Sequence, residues 1–156
     1  MYRTCIAIVD ATRARLFTFD RTAEPGGPVR EDLVERTDLV NPARHQTSTE
    51  LFSDAPGSGR SGSHSYGIDD HRDSHIDALD ASFAKEIDVE IQRLIRDPNA
   101  RRLIVCASPR MLGDLRKVAG SFERDGLTVD EVPRDLVKLT APQIREHLSS
   151  YGLLPS

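Results

Sequence analysis

Two short, uninterrupted apolar runs constrain the fold of this chain more than any other feature. Residues 5–9 read Cys-Ile-Ala-Ile-Val, and residues 103–107 read Leu-Ile-Val-Cys-Ala. A run of this length, rich in β-branched residues and followed by a turn signal, is typical of a strand buried on both faces of a sheet. The two runs therefore predict an α/β domain in which helices pack against a central sheet.

The segments around these runs complete a predicted sheet of five strands. The first strand covers residues 3–9, and residues 14–19 alternate as an antiparallel second strand after a tight connection. Residues 29–40 read as a third, edge-like strand whose charges guard the edge, although two copies of the chain could pair there as a homodimer. The buried run at 103–107 is the fourth strand, and residues 127–132 are the last.

Three helices are predicted in the second half of the chain. Residues 75–96 carry apolar side chains at helical spacing. Ser108 followed by Pro109 is typical of an N-cap and a first helical residue, and Thr140 with Gln143 forms a capping box that opens the final helix. The order β-β-β-α-β-α-β-α predicts a mixed five-stranded sheet with flanking helices, in a ribonuclease-H-like arrangement. It combines a three-strand antiparallel meander with right-handed β-α-β crossovers.

The length of 156 residues suits a single domain, residues 1–156, which contains one long loop at 41–74. Its Gly/Ser-rich part has almost nothing to bury, which predicts a flexible segment or one ordered by a partner. Loops this long inside a compact domain are often functional. We therefore expect residues 53–74 to contact a partner, with the candidate loop residues Arg60, Gly62, Ser63 and His64.

Composition narrows the class of partner and the compartment. The net charge of −4 argues against a general nucleic-acid coat or a membrane-surface binder. The first apolar run ends at Asp10, which is too short for a signal peptide, and we expect a cytoplasmic protein with no membrane span. Cys5 and Cys106 are expected to be buried thiols of a reduced compartment, with a disulfide between them as the less favoured alternative.

A basic stretch lies on both sides of the fourth strand. Because aromatic residues make up only 5% of the chain and Trp is absent, no stacking platform for single-stranded nucleic acid is expected. We favour a solvated helix face here and leave a contact with an RNA backbone open. The stretch consists of Arg101, Arg102, Arg110, Arg116, Lys117 and Arg124.

Three spaced motifs resemble the host attachment protein family. They are Ile-Val-Asp-Ala-Thr-Arg-Ala-Arg-Leu-Phe at 8–17, Ala-Ser-Pro-Arg-Met-Leu-Gly-Asp-Leu-Arg at 107–116 and Glu-Val-Pro-Arg-Asp-Leu at 131–136, and residues 50–57 resemble the family's acidic-Pro-Gly segment. That family is similar to the central domain of archaeal and eukaryotic peptide-chain release factors. The resemblance implies that fold and a role linked to translation or RNA.

The release-factor domains carry a Gly-Gly-Gln tip on a flexible loop before a long helix. Here residues 59–64, Gly-Arg-Ser-Gly-Ser-His, occupy the comparable place and contain no Gly-Gly-Gln. This departure speaks against hydrolysis of peptidyl-tRNA by that mechanism. The family name implies a third role, host attachment, which the missing secretory signal does not favour.

A rim of polar residues is predicted where the strands end. Strands one and four are expected to be parallel neighbours, so the segments that follow them would lie on the same side as the segment after the last strand. Arginines beside a helix N-terminus could bind a phosphate or carboxylate. We favour the simpler interpretation, in which the acidic and basic residues pair and cap the turn. The rim consists of Asp10, Arg13, Ser108, Arg110, Arg134 and Asp135.

A second candidate site is a divalent metal site at the start of the first helix. His71 and His75 are four residues apart, a spacing that can chelate a metal, and Asp77 or Asp80 could add an oxygen ligand. The alternative, which we prefer, is that acidic residues here interact with the helix dipole and no metal is needed.

These observations predict a binding module without enzymatic activity, resembling a release-factor central domain. It would contact RNA, a ribosome-associated partner or another protein through residues 53–74 and the rim, and it requires no cofactor. The first alternative is a metal-dependent hydrolase of nuclease type that uses Asp10 or the two histidines. The second alternative is a host-attachment factor.

Overall fold

Five strands form the central sheet of the computed structural model, which describes residues 2–42, 66–119, 122 and 124–155. In chain order they are β1 (Tyr2–Val9), β2 (Arg13–Ala23), β3 (Val29–Val40), β4 (Ala100–Cys106) and β5 (Thr128–Val132). Their order across the sheet is β3-β2-β1-β4-β5. Strands β1, β2 and β3 pair antiparallel, whereas β4 runs parallel to β1 and β5 parallel to β4. The predicted mixed sheet with its antiparallel meander is confirmed.

Three helices cover the sheet, two on one face and one on the other. They are α1 (Tyr66–Ile95), α2 (Pro109–Ala119) and α3 (Ala141–Ser150). Helices α1 and α2 pack on one face, and α3 packs on the other face together with the segment that follows β5. Since side chains alternate along a strand, β1 and β4 contribute to both cores, which is why their sequences are apolar without interruption.

The predicted capping interactions at the starts of α2 and α3 are confirmed. The Ser108 hydroxyl accepts a hydrogen bond from the backbone N–H of Met111 at 3.2 Å, as an N-cap does. Thr140 and Gln143 form both bonds of the capping box at the start of α3. Ile144 and Leu148 are the buried residues of that helix, as expected from their spacing.

Helix α1 begins earlier than the apolar pattern indicates. Its first residue is Tyr66, so residues 66–74 are helical and the predicted loop at 41–74 is too long at this end. This segment has no apolar stripe, and its helical character is therefore invisible to periodicity. Residues 43–65, the remainder of that loop prediction, lie outside the described residues.

Strands β2 and β4 also extend beyond the apolar alternation. β2 continues through Ala23, whose partner is Val29 at the start of β3. Most of the added residues are polar, so they break the apolar alternation although they pair with the neighbouring strands. β3 is an edge of the sheet, and its use in a homodimer stays a prediction. No helix within the described part of the chain is long and apolar enough to cross a membrane.

The two cysteines point to opposite faces of the sheet, and both are free. Cys5 lies in the core under α1 and α2, and Cys106 lies in the core under α3. Burial raises the pKa of the Cys5 thiol to about 11 and that of the Cys106 thiol to about 12. The disulfide alternative is therefore wrong, and both thiols are chemically quiet packing groups.

We expect neither thiol to react with iodoacetamide in the folded protein at pH 8. Only the thiolate is nucleophilic, and the raised pKa of both groups keeps the thiolate population very small at that pH. Intact-mass spectrometry over several hours should show no adduct on the native protein. The same protein in guanidinium chloride should gain two adducts within minutes, and rapid labelling of either cysteine without denaturant would contradict the expectation.

Candidate functional site

Two adjoining cavities lie between α1 and α2 at the carboxyl ends of β1 and β4. The first, here called the strand-end pocket, has room of about 80 Å³ and is lined by Ala11, Asn41, Asp80, Phe83, Ser108, Arg110, Met111 and Asp114. The second, here called the helix groove, has about 590 Å³ and is lined by Asp80, Ala81, Ala84, Pro109, Arg110, Gly113, Asp114, Lys117 and Val118. Three charged residues, Asp80, Arg110 and Asp114, are shared by both.

The position of the strand-end pocket follows from the sheet topology. After β1 the chain turns into β2 on one side, and after β4 it passes through α2 to β5 on the other side. The connections diverge at this point and leave a crevice, which is where open α/β sheets usually bind ligands. Ala11, which follows β1, and Ser108, which follows β4, line opposite walls of that crevice.

Asp10 closes the turn between β1 and β2. Its Oδ1 accepts hydrogen bonds from the backbone N–H of Thr12 at 2.8 Å, the Thr12 hydroxyl at 2.8 Å and the backbone N–H of Arg13 at 2.7 Å. An aspartate that satisfies neighbouring backbone N–H groups in this way stabilises a turn. The carboxylate therefore has a structural role, consistent with the simpler interpretation of the rim.

Arg13 is neutralised by a residue of the next strand. Its Nε and Nη2 lie 2.8 Å and 2.5 Å from the two carboxylate oxygens of Asp38 on β3. This bidentate hydrogen bonding raises the pKa of Arg13 and lowers the pKa of Asp38. Arg13 also shares a strand face with Arg15, which contacts the α3 side of the sheet. Arg13 is therefore not available to the two cavities.

Arg110 is the predicted rim arginine that lines the two cavities. It is exposed, it lines both cavities, and it follows the N-cap Ser108 by two residues. In the part of the chain that the structure describes, its side chain has no hydrogen-bond or ion-pair partner. The first turn of α2 contains no acidic residue, so the positive end of the helix dipole and the guanidinium lie close together.

Asp114 lies one helical turn after Arg110 and lines the same two cavities. Within the described residues its carboxylate is also without a hydrogen bond or ion pair, although Arg110 is four residues away on the same helix. A basic residue placed before an acidic one at this spacing is the less favourable order for a helical ion pair. Two opposite charges therefore face the cavities without neutralising each other.

Asn41 is a site residue that sequence reasoning did not identify. It is almost fully buried, at 1% exposure. Its side-chain amide donates to the Ala11 carbonyl at 2.9 Å and to Asp80 Oδ1 at 2.8 Å. Asn41 thereby ties the end of β3 to the β1–β2 turn and to α1, and it orients the Asp80 carboxylate at the pocket. Its only sequence signal is its place between a strand and Pro42, which indicates a turn.

Arg134 and Asp135 follow β5 and do not line either cavity. Asp135 Oδ1 accepts from the backbone N–H of Val137 at 3.2 Å, which again stabilises a turn. Arg134 is exposed. The six rim residues thus do not form one site, because only Ser108 and Arg110 are brought to the crevice.

The predicted basic stretch is dispersed by the fold. Arg102 lies 3.0 Å from Asp130, Arg116 pairs with Glu131, and Arg124 donates to the Ala100 carbonyl at 2.8 Å. Arg101 lies over the ring of Tyr2. These contacts leave Arg110 and Lys117, both beside the helix groove, as the cations of that stretch that are free to meet a ligand.

Several predicted residues fall where nothing is described. Arg60, Gly62, Ser63 and His64 lie outside the described residues, and so do the side chains of His71 and His75. The metal site therefore stays a prediction. Among the residues whose side chains are described, no three of His, Cys, Asp and Glu are grouped as metal ligands. Asp130 and Glu131, the acidic pair of the last strand, are held by arginines.

A comparison of the sequence with models of known protein families found a match. The family whose model carries the description "Protein required for attachment to host cells" matches residues 5–148. The match spans all five strands except the first residues of β1, and it includes every residue that lines the two cavities. No curated protein matches the chain.

Proposed function

The chain belongs to the family of proteins described as required for attachment to host cells, and from that premise we propose that it is a non-enzymatic module that binds the phosphate backbone of RNA at the helix groove. The observation that carries this proposal is the exposed guanidinium of Arg110, which lines both cavities and has no hydrogen-bond or ion-pair partner among the residues that the structure describes. The resemblance to the release-factor central domain and a cytoplasmic location are part of the same proposal.

Two cations of the groove, Arg110 and Lys117, support a phosphate ligand, and the carboxylates of Asp80 and Asp114 in the same lining limit its affinity. Arg110 lies in the first turn of α2, where the positive end of the helix dipole points outward, and Lys117 lies in the last turn of the same helix. The two residues are separated by about 10 Å along the helix axis at 1.5 Å per residue. Long flexible side chains at this separation could contact neighbouring phosphates of one strand.

The groove is suited to a backbone contact and not to base recognition. Its walls contain small residues, Ala81, Ala84 and Gly113, and none of the described residues that line it is aromatic. Base stacking on aromatic rings is the usual source of affinity for single strands without sequence preference. Without base stacking, RNA binding at the groove should depend on a few ionic contacts, so we expect it to be weak and strongly sensitive to salt.

Replacing Arg110 with alanine should weaken RNA binding about tenfold at low salt. The loss follows because each phosphate contact contributes counterion release, and log K for single strands changes with log salt by about −0.7 for each contact. The measurement is fluorescence anisotropy with a labelled single-stranded RNA across a salt series. We expect the slope for Arg110→Ala, and likewise for Lys117→Ala, to be smaller in magnitude than the wild-type slope by about 0.7.

Arg96→Ala is the matched control. Arg96 is exposed and lies just past the end of α1, and it does not line either cavity. Its replacement changes the net charge by the same amount without touching either cavity. Equal effects of Arg96→Ala and Arg110→Ala would show that only overall charge matters and would reject the groove, and absence of RNA binding at low salt would reject the RNA proposal altogether.

A pull-down from native lysate tests whether the segment before α1 is needed for binding a partner. Deleting residues 56–65 leaves the helix that begins at Tyr66 intact. Partners that are lost on ribonuclease treatment and on this deletion would support a translation-linked module. RNA-dependent partners that are retained in full by the deletion variant would remove residues 56–65 from the proposal.

A host-attachment role is the second candidate, because the description of the matching family names attachment. This role requires the protein to reach the outside of the cell. Immunodetection on intact cells and in culture supernatant, with a cytoplasmic enzyme as the marker for lysis, tests it directly. Surface signal without release of the marker would favour attachment over RNA binding, and signal only after lysis would reject attachment.

A further inference from the structure

The strand-end pocket contains opposite charges that a single ligand could satisfy. Arg110 supplies a cation, and Asp114 supplies an anion one turn further along α2. Neither has a partner among the side chains that the structure describes. An anion enclosed in this pocket would leave Asp114 unsatisfied and would be repelled by it, so the pocket interior matches a ligand that carries both charges better than it matches a phosphate.

The inner wall of the pocket is apolar. Phe83 of α1 is 2% exposed and Met111 of α2 is 7% exposed, and both line the pocket between the charged residues. Ala11 adds a methyl group from the β1–β2 turn. With room of about 80 Å³, this wall fits a short aliphatic group and excludes a large ring.

Asp80 adds a second carboxylate on the opposite helix. Its Oδ1 accepts from Asn41 Nδ2 at 2.8 Å, and Asn41 is itself buried and bonded to the Ala11 carbonyl. The carboxylate is therefore held in a fixed orientation at the pocket by a chain of hydrogen bonds that reaches the sheet. Asp80 and Asp114 face the pocket from α1 and α2 respectively, and an ammonium group between them would contact both.

We propose that the strand-end pocket binds a small zwitterion, namely an α-amino acid with a short aliphatic side chain. Its ammonium group lies between Asp80 and Asp114, its carboxylate pairs with the guanidinium of Arg110, and its side chain packs on Phe83 and Met111. The bidentate geometry of a guanidinium suits a carboxylate. This site goes beyond the proposed RNA contact, which uses Arg110 and Lys117 at the helix groove and shares only Arg110 with the amino-acid site.

The test is titration of ¹⁵N-labelled protein with L-alanine or L-valine, followed by amide chemical shifts. A ligand with so few atoms should bind with a Kd on the order of 1 mM. Shifts should be confined to the segments that line the pocket. Two half-ligands provide chemical controls, because propionate lacks the ammonium group and ethylamine lacks the carboxylate, and each should bind at least about tenfold more weakly than L-alanine.

Variants separate this site from the RNA proposal. Asp114→Asn keeps the size of the side chain, removes its charge and should raise the Kd for L-alanine at least about tenfold, while RNA affinity stays equal or increases. Lys117→Ala should weaken RNA binding and leave the Kd for L-alanine unchanged. No shift change with 50 mM amino acid, or equal affinity of Asp114→Asn and wild type, would overturn the zwitterion site whatever the result with RNA.

Discussion

Replacing Phe17 with alanine should lower the free energy of unfolding by about 3–5 kcal/mol, which is the usual cost of truncating a fully buried phenylalanine. Phe17 is 0% exposed and lies in the core between the sheet and α3, together with Ile6 and Ile104. The loss combines the transfer free energy of the ring with the cavity that remains, because neighbouring strands cannot collapse into the space. Since domains of this size are stable by about 5–15 kcal/mol, the variant should be close to unfolding.

Urea denaturation followed by circular dichroism at 222 nm measures this difference. Val29→Ala is the control, because Val29 is 49% exposed at the edge of the sheet and its truncation should change the free energy by no more than about 0.5 kcal/mol. Phe17→Leu, which retains most of the packing, should fall between the two. If Phe17→Ala and Val29→Ala had the same free energy of unfolding, packing of the Phe17 ring in the core under α3 would contribute no more to stability than an exposed valine does.

Replacing Arg15 with methionine should lower the free energy of unfolding by about 3 kcal/mol, because hydrogen bonds to a charged group contribute about 1.5–3 kcal/mol when removal leaves buried partners unsatisfied. Arg15 is buried at 8% exposure. Its Nη1 donates to the carbonyl oxygens of Val137 and Leu139 at 2.9 Å and 2.6 Å, and its Nε donates to Glu35 at 2.6 Å. Methionine fills the space but offers no donor.

This arginine attaches the segment between β5 and α3 to the sheet, so its loss should also loosen that segment. Lys138 is exposed between the two carbonyl groups that Arg15 binds. Trypsin cleavage after Lys138, followed by mass spectrometry under native conditions, should be faster in Arg15→Met than in wild type.

Arg21→Met is the matched control for Arg15→Met. Arg21 is on the same strand, its side chain is 47% exposed, and its Nε lies 3.8 Å from Glu31. A surface pair of this kind contributes about 0–1 kcal/mol, and cleavage after Lys138 should not change. If both variants lost equal stability, the carbonyl contacts of Arg15 would carry no special role.

The elements of the fold could be predicted where their signals are local. The apolar runs at 5–9 and 103–107 mark central strands because a strand buried on both faces needs apolar side chains at every position. Ser108 before Pro109, and Thr140 with Gln143, mark helix starts because each capping bond spans only three residues. The start of α1 was missed because the sequence at 66–74 has no apolar repeat and therefore carries no periodic signal.

The candidate site could be predicted only in part. Ser108 and Arg110 were expected at the strand ends, and parallel pairing of β1 and β4 brings them there. Arg13 was expected beside them, but Asp38, 25 residues away in sequence, binds it instead. Asn41 joins Ala11 and Asp80 across separations of 30 and 39 residues, and nothing local in the sequence indicates such a contact.

The sequence by itself determined the strands, most helix starts and the family, because these depend on hydrophobic periodicity, capping and motif order within short stretches of chain. Only the tertiary structure decided which charged side chains form ion pairs and which have no partner among the described residues. Ion pairs depend on distances between side chains from remote segments, and they remove Arg13, Arg102 and Arg116 from consideration. What is left, Arg110 and Asp114 facing one pocket, is a property of the packed sheet and helices.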